Sequence, residues 1–234
     1  MYKFSKIIIL TILTTGISIG LFLLLLSEDL PKGKEGKYAE IMAQKILHAI
    51  NKNAYDSTNF ISWDFRDKHY EWNKSKNIAT ITWKTNEVQL HLDNIRASKI
   101  LLYEKKLTEN EKNKLIKKCV DYFNNDSFWV IAPFKLYDPG TKRSLVKYEG
   151  KDALLITYTS GGSTPGDSYL WIVDENFIPT KFKMWVSIIP IGGLEATWDG
   201  WKQTATSALL PTRHSLPLGL SLDLNTKTYN ESSN

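Results

Sequence analysis

Ile78-Ala-Thr-Ile-Thr-Trp-Lys-Thr-Asn-Glu-Val-Gln-Leu-His-Leu-Asp93 reads as two strands and a turn. Val88, Leu90 and Leu92 alternate with Gln89, His91 and Asp93, the period of a strand with one wet face. Ile78–Lys84 forms its partner across Thr85 and Asn86. Upstream, Phe60–Phe65 and Lys68–Trp72 repeat the pattern around Arg66 and Asp67, and Ser98–Tyr103 adds a fifth strand. Downstream, Ser144–Glu149 and Ala153–Tyr158 flank Gly150 and Lys151, and Tyr169–Val173 and Thr180–Ile189 flank Asp174–Pro179. Leu194–Trp198, Ala205–Leu210 and Leu220–Thr228 are weaker strand candidates. Strands joined by turns this short pair antiparallel. The eight Trp, eleven Tyr and nine Phe suit such strands.

Two helices interrupt the strands. Over Tyr38–Asn51, the residues Tyr38, Ile41, Met42, Ile46, Leu47, Ala49 and Ile50 make an apolar stripe at helical spacing. Thr108-Glu-Asn-Glu111 matches a capping box and opens the second helix. Its stripe is Leu115, Ile116, Cys119, Val120 and Phe123, and Asn124, Asn125 and Asp126 are expected to end it. Phe128–Gly140 follows, with Pro133, Pro139 and an Asp-Pro-Gly turn, and is expected to be rigid and non-helical. It serves either as a core-plugging loop or as the lip of an apolar cavity.

The N-terminus has a different character. Lys3 and Lys6 precede an uncharged run from Ile7 to Leu26, and Glu28 and Asp29 follow it. Twenty such residues cross a hydrocarbon core of ~30 Å as a helix. A cleavable signal has an apolar core of only ~7–15 residues before a small-residue cleavage site. Residues 1–29 are therefore expected to be an uncleaved signal anchor, with cleavage after Gly16 or Gly20 and secretion as the alternative. Basic residues on the N-terminal side place the body outside, in a bacterium the periplasmic side of the inner membrane. Residues 30–37, with Pro31, Gly33 and Gly36, read as a linker. Residues 38–229 read as one domain, and 230–234 as a polar tail.

Several chemistries find no motif. The formal charge of +5 is mild, and acidic residues interleave the lysines of Lys112–Lys118, so no nucleic-acid stripe forms. The four histidines are His48, His69, His91 and His214, each isolated, so no metal site is expected. Ser160–Gly166 lacks nucleophile-elbow spacing and carries no phosphate-loop pattern. Asp64 and Asp67 read as turn and surface residues. Cys119, the single cysteine, sits on an apolar helix face as an inert thiol. No cofactor and no catalysis are expected.

The layout of membrane-targeted N-terminus, helix, strands, helix and further strands resembles the superfamily of LolA/LolB-like periplasmic lipoprotein carriers. Tyr169-Leu-Trp-Ile-Val-Asp174-Glu-Asn-Phe-Ile-Pro179-Thr-Lys-Phe182 looks like a strand–turn–strand of that family. The segment from Phe128 and Trp129 through Pro133 and Phe134 to Gly140 is similar to a motif of secreted Bacteroidetes proteins of this fold. The resemblance implies an α+β fold: a curved antiparallel half-barrel of ten or more strands, covered by two amphipathic helices around an apolar cavity. Neither a lipobox cysteine nor a short cleavable signal is present, so a tethered binder is expected rather than a shuttle. The expected ligand is a lipid, acyl chain or other apolar molecule, lipoprotein included. Its expected wall is Phe128, Trp129, Phe134, Trp171, Trp185 and Trp198. Two rivals are a sensing or scaffold domain that binds a protein partner and a hydrolase using His69, His91 or His214.

Overall fold

The computed structural model describes residues 27–161 and 164–230. The apolar run Ile7–Leu26 lies outside the described residues, and no helix within them is long and apolar enough to cross a membrane. Elements follow in the order α1 (Lys37–Ala49), α2 (Lys52–Ser57), β1 (Phe60–Phe65), β2 (Lys68–Asn73), β3 (Ile78–Trp83), β4 (Asn86–His91), β5 (Lys99–Leu102), α3 (Glu109–Ile131), β6 (Thr141–Tyr148), β7 (Lys151–Tyr158), β8 (Ser168–Val173), β9 (Pro179–Trp185) and β10 (Leu194–Thr197). Five short strands close the chain: β11 (Lys202–Gln203), β12 (Leu209–Leu210), β13 (Arg213–Ser215), β14 (Ser221–Asp223) and β15 (Lys227–Tyr229).

The class is α+β with antiparallel sheets. One sheet has six strands in the order β15-β1-β2-β3-β4-β5, and the other has five in the order β10-β9-β8-β7-β6. The β3–β4 hairpin pairs Ile81 with Val88 and Ala79 with Leu90, and all four are buried. Glu149 and Gly150, both at positive φ, turn β6 into β7. That geometry matches the right-handed twist of the two strands. The sheets form no closed barrel. Backbone bonds link them instead: Asp199 N donates to Arg213 O (2.9 Å), Leu224 N to Thr212 O (2.9 Å) and Asp64 N to Leu224 O (2.6 Å).

Both sheets contribute to one core. Trp63, Tyr70, Ile81 and Leu90 enter it from the first sheet, and Leu154, Ile156, Trp171 and Phe182 from the second. Phe123, Val130 and Ile131 of α3 fill the space between. α1 packs on β6 and β7, whereas α3 packs on β3, β4 and β5. The buried face of α1 is Ala39, Met42, Ala43, Ile46 and Leu47. Tyr38 and Ile41, expected on that face, are exposed. The small Ala39 and Ala43 lie on the buried face instead.

α3 opens on the expected capping box, with Thr108 Oγ1 accepting from Glu111 N and the Glu111 carboxylate accepting from Thr108 N. It does not stop at Asn124–Asp126 but runs on to Ile131. Asp126 turns inward, where its carboxylate accepts a hydrogen bond from the Tyr70 hydroxyl. Burial of Val130 and Ile131 stabilises the extra turns, and the stop comes at Pro133, in a 3-10 turn over Ala132–Phe134. Phe128 and Trp129 are therefore helical, not part of a loop. Two weak strand candidates also change. Ala205–Leu210 keeps only Leu209 and Leu210 as a strand, and Leu220–Thr228 breaks around Asn225 at positive φ.

Residues 27–34 lie against the second sheet. Glu28 N donates to Gly192 O (2.9 Å), and Gly192 N donates to Ser27 Oγ (3.0 Å). The Glu28 carboxylate accepts from Lys183 Nζ at 2.5 and 2.8 Å, and Trp185 Nε1 donates to Glu28 O at 2.8 Å. Lys34 then exchanges backbone bonds with Leu145 of β6 at 2.8 and 2.9 Å. A Cβ on Gly33 would meet Ser144 Cβ at 2.4 Å. The segment expected as a linker over 30–37 is in part a strap.

Candidate functional site

A cavity of about 300 Å³ opens between the last turns of α3 and the ends of β7, β8 and β9. The length of α3 is what builds it. Phe123, Phe128 and Trp129 project from the helix toward Tyr158 of β7, Tyr169 of β8 and Met184 of β9, and Val186, Ile188 and Ile189 complete the apolar wall. Polar groups gather at the remaining side. Lys135 Nζ sits 3.0 Å from Asp138 Oδ2. Asp167, buried, accepts from Ser187 N at 2.9 Å and from Thr164 Oγ1 at 2.5 Å. Burial raises the Tyr158 and Tyr169 hydroxyls above their ordinary range, and Asp138 and Asp167 respectively add to the effect. Both phenols stay neutral at physiological pH.

The wall behind the cavity is aromatic. The Phe128 ring lies 4.3 Å from Tyr169, 5.7 Å from Phe182, 6.0 Å from Trp171 and 6.2 Å from Trp198. The indole N–H groups of Trp171 and Trp198 have no hydrogen-bond partner among the described residues. Ring contact and buried area therefore hold this cluster together. His214 anchors it to the helix: Nδ1 lies 2.6 Å from Thr197 O and Nε2 2.6 Å from Trp129 O. Burial holds this imidazole below its ordinary range, although both carbonyls favour the charged form.

The six aromatic residues singled out from sequence separate into four positions. Phe128 and Trp129 line the cavity. Trp171 and Trp198 are fully buried behind them. Phe134 is stacked on Tyr55 at 4.1 Å, beside α2. Trp185 lies on the opposite face of the second sheet, with Leu155, Leu170 and Ile172. The sequence reading did not single out Tyr158, Met184, Val186, Ile188 or Ile189 as wall residues. The signal for them is parity with Phe182 through Met184 to Val186, followed by the uncharged stretch that continues to Leu194.

Other titratable groups lie away from this cavity. His69 Nδ1 lies 2.6 Å from Asp64 Oδ1, and its Nε2 faces Glu71 Oε1 at 3.9 Å. Both partners are carboxylates on a solvated sheet face. Burial pushes the Cys119 thiol up to about 12, so no thiolate is available at physiological pH. No group of three or more His, Cys, Asp or Glu among the described residues is placed to hold a metal.

No protein-family model matches the sequence, and no curated protein matches it either. Among solved structures, the crystal structure of a DUF1329 family protein from Desulfovibrio piger is similar at 8% identity, covering 82% of this chain and 95% of that one with a TM-score of 0.38.

Proposed function

We propose that this protein is a membrane-anchored, extracytoplasmic binder of a lipid, an acyl chain or another apolar ligand, and that it does no chemistry on it. The anchor is the run Ile7–Leu26, and the body faces the periplasm. The two linked sheets with α1 and α3 then act as a carrier-like half-barrel of the LolA/LolB type. The observation that carries the reading is the cavity, walled by Phe123, Phe128, Trp129, Met184, Val186 and Ile189. Its 300 Å³ lies at the small end of ligand pockets, which span ~300–1,000 Å³. At ~30 Å³ per water-sized group it takes roughly ten methylenes. Ten methylenes at ~0.8 kcal/mol each contribute about 8 kcal/mol, against an association cost of ~4 kcal/mol or more. The balance is moderate binding, suited to a ligand that must leave again.

Titration of the full chain in detergent-free nanodiscs with a series of alkyl carboxylates tests this. Affinity is expected to rise ~4-fold per carbon and to level off near ten carbons. Native mass spectrometry of the chain purified from membranes should show a co-purifying lipid. A series flat from its first members, with clean apo protein, sinks the reading.

One observation favours a second reading, a scaffold for a protein partner. β5 is an edge strand, and its Leu101 and Leu102 are 49% and 56% exposed. Such an edge suits addition of a partner's strand. Loss of a crosslinked partner on Leu102→Lys, together with the flat alkyl series, would favour it.

A further inference from the structure

One loop both lines the cavity and holds Ser27 and Glu28, the residues that follow the N-terminal run. Ile188 and Ile189 line the cavity, and Ile188, 69% exposed, stands at its solvent side. Four residues past Ile188, Gly192 exchanges hydrogen bonds with Ser27 and Glu28. Ser27 directly follows the uncharged run Ile7–Leu26. At no more than ~3.6 Å per residue, Ile188 is within about 14 Å of Gly192, the residue that bonds Ser27. The polar zone on each side of a hydrocarbon core is itself ~5–7 Å deep. A body held at Ser27 therefore keeps this loop within reach of the interface.

The chemistry of the loop fits such a place. Val186-Ser-Ile-Ile-Pro-Ile-Gly-Gly-Leu194 carries no charge. The nearby cation, Lys183, is neutralised by Glu28. Gly193 N donates to Met184 O at 2.9 Å, and Ser187 N is held by Asp167, so the loop is pinned at its base while Ile188 stands free. An isoleucine exposed this far gains ~1.5–3 kcal/mol on full burial, and a bilayer beside it supplies that burial.

We propose that the Val186–Ile191 loop dips into the phospholipid interface and that the cavity fills laterally from the bilayer holding the N-terminal run. The proposal rests on the anchored-binder reading above, and its test separates the two. The full chain carrying Cys119→Ser and Ile188→Cys is labelled with an environment-sensitive fluorophore and placed in nanodiscs of phosphatidylcholine and phosphatidylglycerol, with or without lipids spin-labelled near the headgroup. Lys151→Cys is the control, at the far end of β7 from the cavity residue Tyr158. That is roughly 23 Å away along the strand. The probe at 188 is expected to lose roughly half its emission to the quencher, as for a group ~5–10 Å into the headgroup–acyl boundary, while the probe at 151 keeps its emission. Ser187→Cys gives the same readout should Ile188→Cys not fold. Equal quenching at the two positions, or a chain recovered outside the nanodisc, overturns the proposal. Quenching at 188 in a chain that shows no alkyl-carboxylate series supports docking and sinks the ligand reading alone.

Discussion

Glu28→Gln should loosen the N-terminal strap far more than Lys183→Met does, although the two side chains form one ion pair. Lys183 is 10% exposed and Glu28 51%. Without the Glu28 charge, the ammonium stays in a largely buried site beside the Tyr148 ring, 5.2 Å away. Without Lys183, the half-exposed carboxylate takes water instead. Breaking a fully buried pair costs ~3–5 kcal/mol, whereas an exposed pair is worth ~0–1 kcal/mol. The half exposure of Glu28 puts Glu28→Gln between these limits, at about 1–2 kcal/mol, with Lys183→Met under ~1 kcal/mol. One to two kcal/mol is a roughly 5–30-fold change in the population with the strap lifted. Tryptic cleavage after Lys32 reads that population when opening and closing outpace cleavage. Burial opposes the charge of Lys183, but Glu28, with help from Tyr148, outweighs it, so the folded pKa stands above the ordinary lysine value. On the alkaline side the pair's contribution therefore holds up to pH ~10.4 and is lost as pH rises through the folded value. Equal acceleration in both variants, or none in Glu28→Gln, refutes the asymmetry and the burial argument behind it.

Three further outcomes can be measured on the same protein. Burial holds His214 below its ordinary pKa, so the unfolded chain takes up a proton more readily than the folded one. Stability should fall as pH drops through ~6.5, and urea melts of His214→Gln should lack that slope; an unchanged slope overturns the assignment. Burial raises the Asp126 carboxyl, so ionising it costs stability as pH rises past ~3.9. Asp126→Asn still accepts from Tyr70, and Lys68, 3.5 Å from Asp126 Oδ2, keeps Asp67 at 3.4 Å, so stability at neutral pH should change by less than ~1 kcal/mol; a larger loss refutes this. Cys119, with its thiol pushed up to about 12, should resist iodoacetamide in the native state and react on denaturation; ready native-state labelling refutes its burial.

Strands with one wet face were readable because solvent writes the alternation into them. Val88 and Leu90 are buried as the pattern requires, and the turns at Arg66–Asp67 and Glu149–Gly150 fall within a residue of expectation. The overrun of α3 was hidden because Asn124, Asn125 and Asp126 look like a stop. What carries the helix past them lies far away in sequence: the Tyr70 hydroxyl that takes up Asp126, and the core that buries Val130 and Ile131. The site divided for a similar reason. Choosing wall residues by aromatic type groups Trp171 with Trp185, yet β8 pairs Trp171 with Phe182, and Trp185 falls on the other parity. The strap was equally hidden. Pro31, Gly33 and Gly36 have linker composition, and their neighbours' bonds run to Leu145 and Gly192, more than a hundred residues on.

The pairing of Lys34 with Leu145 has a further consequence. β6 is the edge of the five-stranded sheet, and an open edge is a template for another chain. Lys34 occupies the middle of that edge, and Lys142 and Lys147 add charge on either side. Proteolysis that trims the chain beyond Lys34 would strip this guard and leave an eight-residue strand, Thr141–Tyr148, free to recruit its like. A body cut there is expected to polymerise edge to edge, where one that keeps residues 27–34 stays single. The same short segment that follows the run Ile7–Leu26 thus also protects the fold from its own copies.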